Sequence, residues 1–524
     1  MAKETALIAA LCDPVEVTRI FAAPHIVGTK RAHKSYHFAG SKGDLVKVVV
    51  VSNRVAQAKP DEPIAGGLAA ALIPMVKESG AIWVGSSGKT SDISERKDPF
   101  AKIEALGAGA LATVDMPASH YTNFYEGFAN SALWPALHSR ADLIQVTESH
   151  YASYREINAF MARALLRFDN PEAVFWVQDY HFLTLGAELR RLGVERPAGF
   201  FLHTPWADRH TMAAIPHHAE IVREMLAYDL IGFQTVEDRQ NFESYLRAEL
   251  GITAVEGSIV TEWGWTQLAT FPIGIDVDQF AKRADSAATR TDVSRLRSSL
   301  QGAKLVLGVD RLDYSKGLAN RVRAFDRLLD NEPALKREVS LLQVAVPSRG
   351  NIKAYRELKA ELETLVTEVN GRHGEVDWTP IRYLNKGFSQ LTLAGFYRTA
   401  HVGLVTPLHD GMNLVAKEYV AAQNPLNPGV LVLSSFAGAA KELDSALLVN
   451  PHDIDAMARQ IAVALKMGIE ERRERWEHMV TKLKRSPVQN WFTDFLDTLA
   501  AVRRAPTLPA NLLVLERARK IAQA

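Results

Sequence analysis

Short apolar runs, each ending abruptly in a polar or glycine-rich turn, constrain this chain more than any other feature. The first is LVKVVVVSNR (45–54), whose four consecutive valines are β-branched and show no polar alternation. Such a run fits a strand buried on both faces, the situation of a parallel sheet. Similar runs recur at AIWVGSS (81–87), LIQVT (143–147), AVFWVQDYH (173–181), AGFFLHTP (198–205) and DLIGFQT (229–235). Stretches of helical periodicity, such as SYREINAFMARALLRF (153–168) and AAIPHHAEIVREMLAYD (213–229), lie between them. Strand alternating with helix predicts βαβ units and a doubly wound α/β sheet.

A second series follows FPIGID (271–276): KLVLGVDRLD (304–313), SLLQVAVPS (340–348), IRYLN (381–385), VGLVTPL (402–408) and GVLVLSS (429–435). Helical patterns at 320–330 and 352–370 separate these strands. At about 150 residues per domain, 524 residues would make three or four units. The two strand series reduce that to two. The expected division is an extension over 1–45, a first Rossmann-like domain over 46–275 and a second over 276–485. A helix over 486–505 crosses back to the first, and a tail fills 506–524.

Composition narrows the class. Lys plus Arg is 61 and Asp plus Glu is 60, a net charge of +1. That balance argues against a nucleic-acid or membrane-surface partner. The single Cys12 excludes an intramolecular disulfide framework and a cysteine-built zinc site. No apolar run reaches the roughly 18 residues of a membrane span. The start, MAKETALIAALCDPVE, turns acidic after a short apolar stretch, unlike a secretory signal. A cytoplasmic enzyme is expected.

Several motifs fail on inspection. GSSGKT (85–90) suggests a phosphate loop, but Trp83 stands where its first glycine is required. Gly107-Ala-Gly109-Ala-Leu-Ala112 matches a dinucleotide fingerprint in letters only, with no strand expected before it. Asp276-Val-Asp278 and Asp453-Ile-Asp455 are DxD pairs, for which helix capping is the plainer role. HExxH is absent. Neither a metal nor another cofactor is indicated.

Open α/β sheets bind ligands beyond the carboxyl ends of their strands, so two facing sheets place a cleft between domains. TPLHDGMNLVAKEYVAAQ (406–423) runs from a strand through a glycine loop to a helix expected to start near Met412. Free backbone N–H groups there make an anion site. Asp410 just before it reads equally as a sugar-hydroxyl acceptor or as the helix N-cap. Glu418, two turns along, reads as a ribose-diol acceptor or a solvated helix charge. VDRLDYSKGL (309–318) brings Arg311 and Lys316 to another helix start, where they can neutralise adjacent phosphates or serve a structural ion-pair cluster. Asp313 between them reads as a loop-orienting residue.

Arg54 follows the first strand, and Gly66 and Gly67 in IAGGLAAAL allow close backbone approach to a phosphate. His203 follows another buried strand and reads as a structural histidine or a site residue. Asp179 and Tyr180 share that strand-end placement, with capping or loop roles as the alternative. Tyr125 and Trp134 read as core or as pocket walls, and Arg349 in VPSRG as a surface or a site arginine. Their coincidence at strand ends in both halves describes a cleft with cations, phosphate-binding backbone and sugar-type acceptors.

Taken in order, SNR, AGGL, LWP, DYH, GFFLH, DRLDYSKGL, SRG and DGMNLVAKEYVAAQ resemble glycosyltransferase family 20, from about Val48 to Val502. The resemblance implies a two-domain GT-B fold and transfer of glucose from UDP-glucose to glucose 6-phosphate, giving trehalose 6-phosphate and UDP. It implies retention without a metal or other cofactor, by a front-face reaction in which the leaving phosphate accepts the acceptor hydroxyl's proton. It also implies a homo-oligomer. Carried over, Gly67, Arg311, Lys316 and the Met412, Asn413 and Leu414 backbone bind the diphosphate, and Glu418 the ribose. Asp410 and His203 hold the donor glucose. Arg54, Tyr125, Trp134, Asp179, Tyr180 and Arg349 form the acceptor pocket, with Arg54 and Arg349 on its phosphate. Gln178 and His409 depart from the family pattern, where His and Arg are usual, and TPWADRH replaces the usual stretch after GFFLH. Glucosylglycerol-phosphate synthesis, pseudo-glycosyl transfer and a non-catalytic sugar-phosphate sensor are the alternatives. No phosphatase signature follows.

Overall fold

Val48 to Val51 lie at the centre of a nine-stranded sheet and are at most 5% exposed. The computed structural model describes residues 47–55, 67–92 and 99–502. The expected extension with Cys12, Gly66 and the tail over 506–524 lie outside the described residues. The first sheet contains β1 (Lys47–Arg54), β2 (Ile82–Ser91), β3 (Phe100–Leu106), β4 (Gly109–Pro117), β5 (Ala173–Gln178), β6 (Ala198–Phe201), β7 (Leu230–Phe233), β8 (Ser258–Thr261) and β9 (Gly264–Thr270). Their order is β3-β4-β2-β1-β5-β6-β7-β9-β8. Only the β3–β4 and β8–β9 pairings are antiparallel among these strands.

The second sheet is parallel throughout and runs β12-β11-β10-β13-β14-β15. Its strands are β10 (Lys304–Arg311), β11 (Val339–Val346), β12 (Ile381–Leu384), β13 (Val402–Val405), β14 (Val430–Ser434) and β15 (Leu447–Val449). Strand order reverses between β1 and β5 in one sheet and between β10 and β13 in the other. Crossovers leave such a point in opposite directions, which opens a crevice at the carboxyl ends of the two strands. Arg54, Gln178 and Arg311 stand at those ends.

The helices that matter for the cleft are α1 (Gly67–Ser79), α2 (Glu148–Leu165), α3 (Leu318–Asn331), α4 (Lys353–His373), α5 (Leu414–Ala422) and α6 (Val488–Ala501). No described helix is long and apolar enough to cross a membrane.

Two local expectations change. LIQVT forms no strand: Ala141–Leu143 make a 3-10 turn, and Thr147 caps α2 by accepting the His150 N–H. A capping hydroxyl at the end of the run wins the segment for the helix start. Gly107 does follow a strand, but as the tight turn of the β3–β4 hairpin, with φ +63°. GSSGKT is extended within β2. Asp276 and Asp453 both act as helix N-caps.

In α6 the apolar residues Val488, Trp491, Phe492, Phe495, Leu496 and Leu499 recur at helical spacing and are buried. They pack on the first sheet, although the second sheet separates them from it in sequence. Trp176 lies 4.7 Å from Trp491 and 5.1 Å from Phe495, ring centre to ring centre, and Phe271 lies 5.2 Å from Phe495. Each such side chain contributes about 1.5–3 kcal/mol when fully buried. The chain thus passes between the sheets twice, and the passages touch: a Cβ on Gly274 would stand 2.1 Å from the Ser486 carbonyl oxygen.

The fit of α6 to the sheet depends on glycines. A Cβ on Gly199 would meet Phe495 at 2.7 Å and Leu499 at 2.9 Å. Gly199→Ala is expected to destabilise the protein by about 1–3 kcal/mol through overpacking. Urea unfolding followed by tryptophan fluorescence measures it, and an unchanged midpoint would contradict the packing of α6.

Candidate active site

The second sheet supplies the cations. After Arg311, Asp313 turns the chain by accepting the Ser315 N–H at 3.0 Å, and Gly317, at φ +67°, leads into α3. Only glycine fits there, because a Cβ would stand 2.2 Å from the Thr406 carbonyl. Lys316 Nζ donates to Asp410 Oδ2 at 2.6 Å. Burial alone would raise the Asp410 carboxyl, but Lys316 together with His138 and Arg311 outweighs it and the net shift is downward. Helix α5 begins at Leu414, later than expected, and its N-cap is Asn413, at φ +71° with Oδ1 accepting the Ala416 N–H. Asn413 Nδ2 also donates to Asp410 at 3.0 Å. Capping is thus Asn413's role, and Asp410 is left facing Lys316.

Beneath this loop Arg321 is fully buried. It donates to Asp310 at 2.8 Å, Gln343 at 3.0 Å and Thr406 at 3.3 Å, tying β10, β11 and the β13 loop together.

The two halves meet at Asp313, whose side chain is fully buried. Trp134 Nε1 from the first half donates to its Oδ1 at 3.4 Å, while Arg349 and Tyr355 donate to Oδ2 at 3.1 Å each. Burial would raise this carboxyl, yet Arg349, Arg311 and Lys316 hold it well below the usual range. Arg349 also donates to Tyr180 Oη across the cleft at 2.9 Å, and its Cζ lies 3.9 Å over the Trp134 ring. Arg311 stands 5.2 Å from the same ring. Trp134, Tyr180, Arg311, Lys316, Arg349 and Asp410 are therefore brought together.

In the first half, Tyr125 sits in a wide π-type helix, Asn123–Leu133, held open where Asn130 donates to the Tyr125 carbonyl at 2.7 Å. Tyr125 stacks between Tyr121 at 5.7 Å and His181 at 5.9 Å. Arg54 is exposed beside Gly88 rather than against Trp134, and its charge acts on Tyr121. Asp179, at φ +71° and ψ 168°, occupies backbone space favourable only to glycine. Its carboxylate accepts the His203 N–H at 3.2 Å, and burial pushes it up to about 6.

Gly67 opens α1 directly against Leu414 at the start of α5: a Cβ on Gly67 would meet Leu414 Cδ1 at 2.5 Å. The first residues of two helices, one from each half, thus meet. Gly411 lies equally close to His203, since a Cβ there would stand 2.1 Å from the His203 carbonyl oxygen. His409 reaches Ser139 of the first half at 3.2 Å. Glu418 lies one turn beyond Leu414 on α5, partly buried, where Tyr397 Oη donates to it at 3.3 Å.

Sequence reasoning missed Tyr121, His181, Tyr355 and Gln234, and gave Asp313 only its loop. Gln234 carried a usable signal, since it follows a buried strand as His203 does. Tyr355 carried none, because on α4 it reads as ordinary helix core.

The arrangement offers two helix starts in contact, two cations at a strand end and an aromatic-walled guanidinium, a set suited to a diphosphate beside a second phosphate. A family model described as glycosyltransferase family 20 matches residues 46–501. A trehalose-6-phosphate synthase of Sinorhizobium fredii is 44% identical over 462 residues, 87% of this chain and 99% of that protein. A Burkholderia xenovorans alpha,alpha-trehalose-phosphate synthase (UDP-forming), solved in complex with glucose-6-phosphate, superposes with a TM-score of 0.84 at 43% identity, covering 87% of this chain and 100% of the other. An E. coli structure bound with UDP-2-fluoro glucose gives 0.82 at 38% identity, covering 88% and 100%.

Burial pushes the Glu418 carboxyl from its ordinary 4.5 up to about 7. The folded state then keeps a proton that the unfolded chain has released. Its stabilising effect is full below about pH 4.5, fades as pH rises and is gone above about 7. Glu418→Gln should therefore gain melting temperature over the parent at pH 8 relative to pH 5. A difference independent of pH would refute the raised value.

Proposed function

The chain belongs to glycosyltransferase family 20, and from that premise we propose that it transfers glucose from UDP-glucose to glucose 6-phosphate, yielding trehalose 6-phosphate and UDP. The observation that carries this reading is the meeting of Gly67 with Leu414 beside Lys316, next to the Trp134–Arg349 pair. A donor diphosphate fits the adjoining helix starts with Arg311 and Lys316, and Glu418 takes the ribose. Asp410 and His203 hold the donor glucose. Arg54, Tyr125, Trp134, Asp179, Tyr180 and Arg349 form the acceptor pocket, with Arg349 on its phosphate and Arg54 reaching it past Tyr121.

The reaction retains configuration and proceeds on one face of the sugar. The acceptor hydroxyl oxygen bonds to the anomeric carbon as that carbon's bond to the diphosphate oxygen breaks, and the leaving phosphate takes the hydroxyl proton. Charge accumulates on the diphosphate in the transition state, where fixed cations and helix N–H groups stabilise it most. Lys316 starts paired with Asp410, so donor binding redistributes that ammonium from carboxylate to phosphate. The reading places the enzyme in the cytoplasm as a homo-oligomer, and size-exclusion chromatography with light scattering tests the oligomer.

UDP release from UDP-glucose should require glucose 6-phosphate. Absence of acceptor-dependent turnover across a panel of sugar phosphates would end the enzyme reading. Arg311→Ala or Lys316→Ala should lower kcat by about 10²–10³, as expected for a lost transition-state charge contact. Arg349→Ala should act chiefly on the KM for glucose 6-phosphate. EDTA should leave turnover unchanged, and a metal requirement would overturn the reading as written.

A further inference from the structure

His203 follows β6 with both ring nitrogens occupied by the protein. Nε2 lies 2.9 Å from Gln178 Oε1, and Nδ1 lies 3.4 Å from Gln234 Nε2. Gln178 ends β5 and Gln234 directly follows β7, the strands on either side, and they are 0% and 2% exposed. The direction of each bond follows from one fixed point. Gln234 Oε1 accepts the Ile273 N–H at 3.0 Å, so its NH2 group is the one that faces Nδ1. Nδ1 is then an acceptor, the imidazole proton sits on Nε2, and Nε2 donates to Gln178 Oε1. That bond leaves Gln178 Nε2 buried without a hydrogen-bond partner. A buried amide takes such an orientation when its carbonyl is required elsewhere.

We propose that Gln178, backed by Gln234, is a positioning residue that holds His203 as the neutral Nε2–H tautomer, so that His203 serves the transfer as a fixed, uncharged wall of the site and never takes a proton. The ring is further fixed by Phe201 at 4.7 Å and by Trp491 of α6 at 5.7 Å. Protonation would turn Nδ1–H toward the Gln234 NH2 group, donor against donor. The charged groups around His203 are Asp179, which accepts its backbone N–H, and Asp410, next to the Gly411 that meets its carbonyl. Gln178, Gln234, Phe201 and Trp491, which face the ring itself, carry no charge. Burial accordingly lowers the imidazole to about 3.

The inference uses the glucosyl-transfer reading only for its kinetic consequence. The test is histidine 15N NMR on the full-length protein, with His203 assigned by its absence in His203→Asn, alongside Gln178→Glu and Gln178→Leu. The parent should show the Nε2–H tautomer and no titration between about pH 5 and 8, where a free imidazole titrates. Gln178→Glu supplies an anionic acceptor, so His203 should titrate inside that window and kcat/KM for UDP-glucose should gain a matching pH limb. Gln178→Leu should lower kcat about tenfold, the loss expected of one buried hydrogen bond, with little change in the KM for glucose 6-phosphate. An Nδ1–H tautomer or a titration near 6.5 in the parent would overturn the proposal, as would an unaltered pH profile in a folded Gln178→Glu. Absence of transfer in every variant would instead count against the function, while the NMR would still decide the tautomer.

Discussion

Everything in the cleft is arranged around one buried carboxylate. Asp313 has no access to water, and a charge in that position is tolerable only when fully paired. Its partners are the Ser315 N–H on its own loop, Arg349 and Tyr355 from the β11–α4 region, and Trp134 from the other half. The loop that carries Arg311 and Lys316 cannot move without disturbing Arg349, and Arg349 cannot move without disturbing Trp134 and Tyr180. Donor cations and acceptor wall are thereby held in one electrostatic unit. The near-neutral total charge conceals it, because Asp313 and Asp410 pair with the local cations.

Half of the described non-glycine residues at positive φ lie at the same place. Asp179, Arg349, Asn413 and Ser139 all have positive φ without being glycine, and each belongs to the cleft or bridges it. Such conformations cost of order 1–3 kcal/mol and persist where the surroundings over-determine them. Here the surroundings are the His203 N–H on Asp179, the Asp313 pair on Arg349 and the Ala416 N–H on Asn413.

The strand ends were legible in the sequence because burial on both faces leaves an unmistakable run such as Val48–Val51, and the residue after it is marked by position. Arg311, Lys316, Asp410 and His203 are singled out by that placement. What the run cannot show is its partner across the fold. Gln178 meets His203, Gln234 meets the same ring from the next strand, and Asp313 meets Trp134 across 179 residues of chain. LIQVT failed for the opposite reason: its β-branched letters suit a strand, but Thr147 binds the first turn of a helix. The wide helix around Tyr125 was hidden too, since Asn130 and Ser131 bond backward to carbonyls five residues away.

The packing of α6 sets an order in time. Ribosomes deliver residues at about 5–20 per second, and domains close as they emerge. The first sheet is complete in sequence at Thr270, yet the helix that covers Trp176, Phe201 and Phe271 begins at Val488. The roughly 220 residues between them take about 10–40 s to synthesise at those rates. Throughout that interval an aromatic face waits uncovered, and a second sheet must fold beside it without occupying it. The return of α6 therefore makes the first sheet the last layer to be finished.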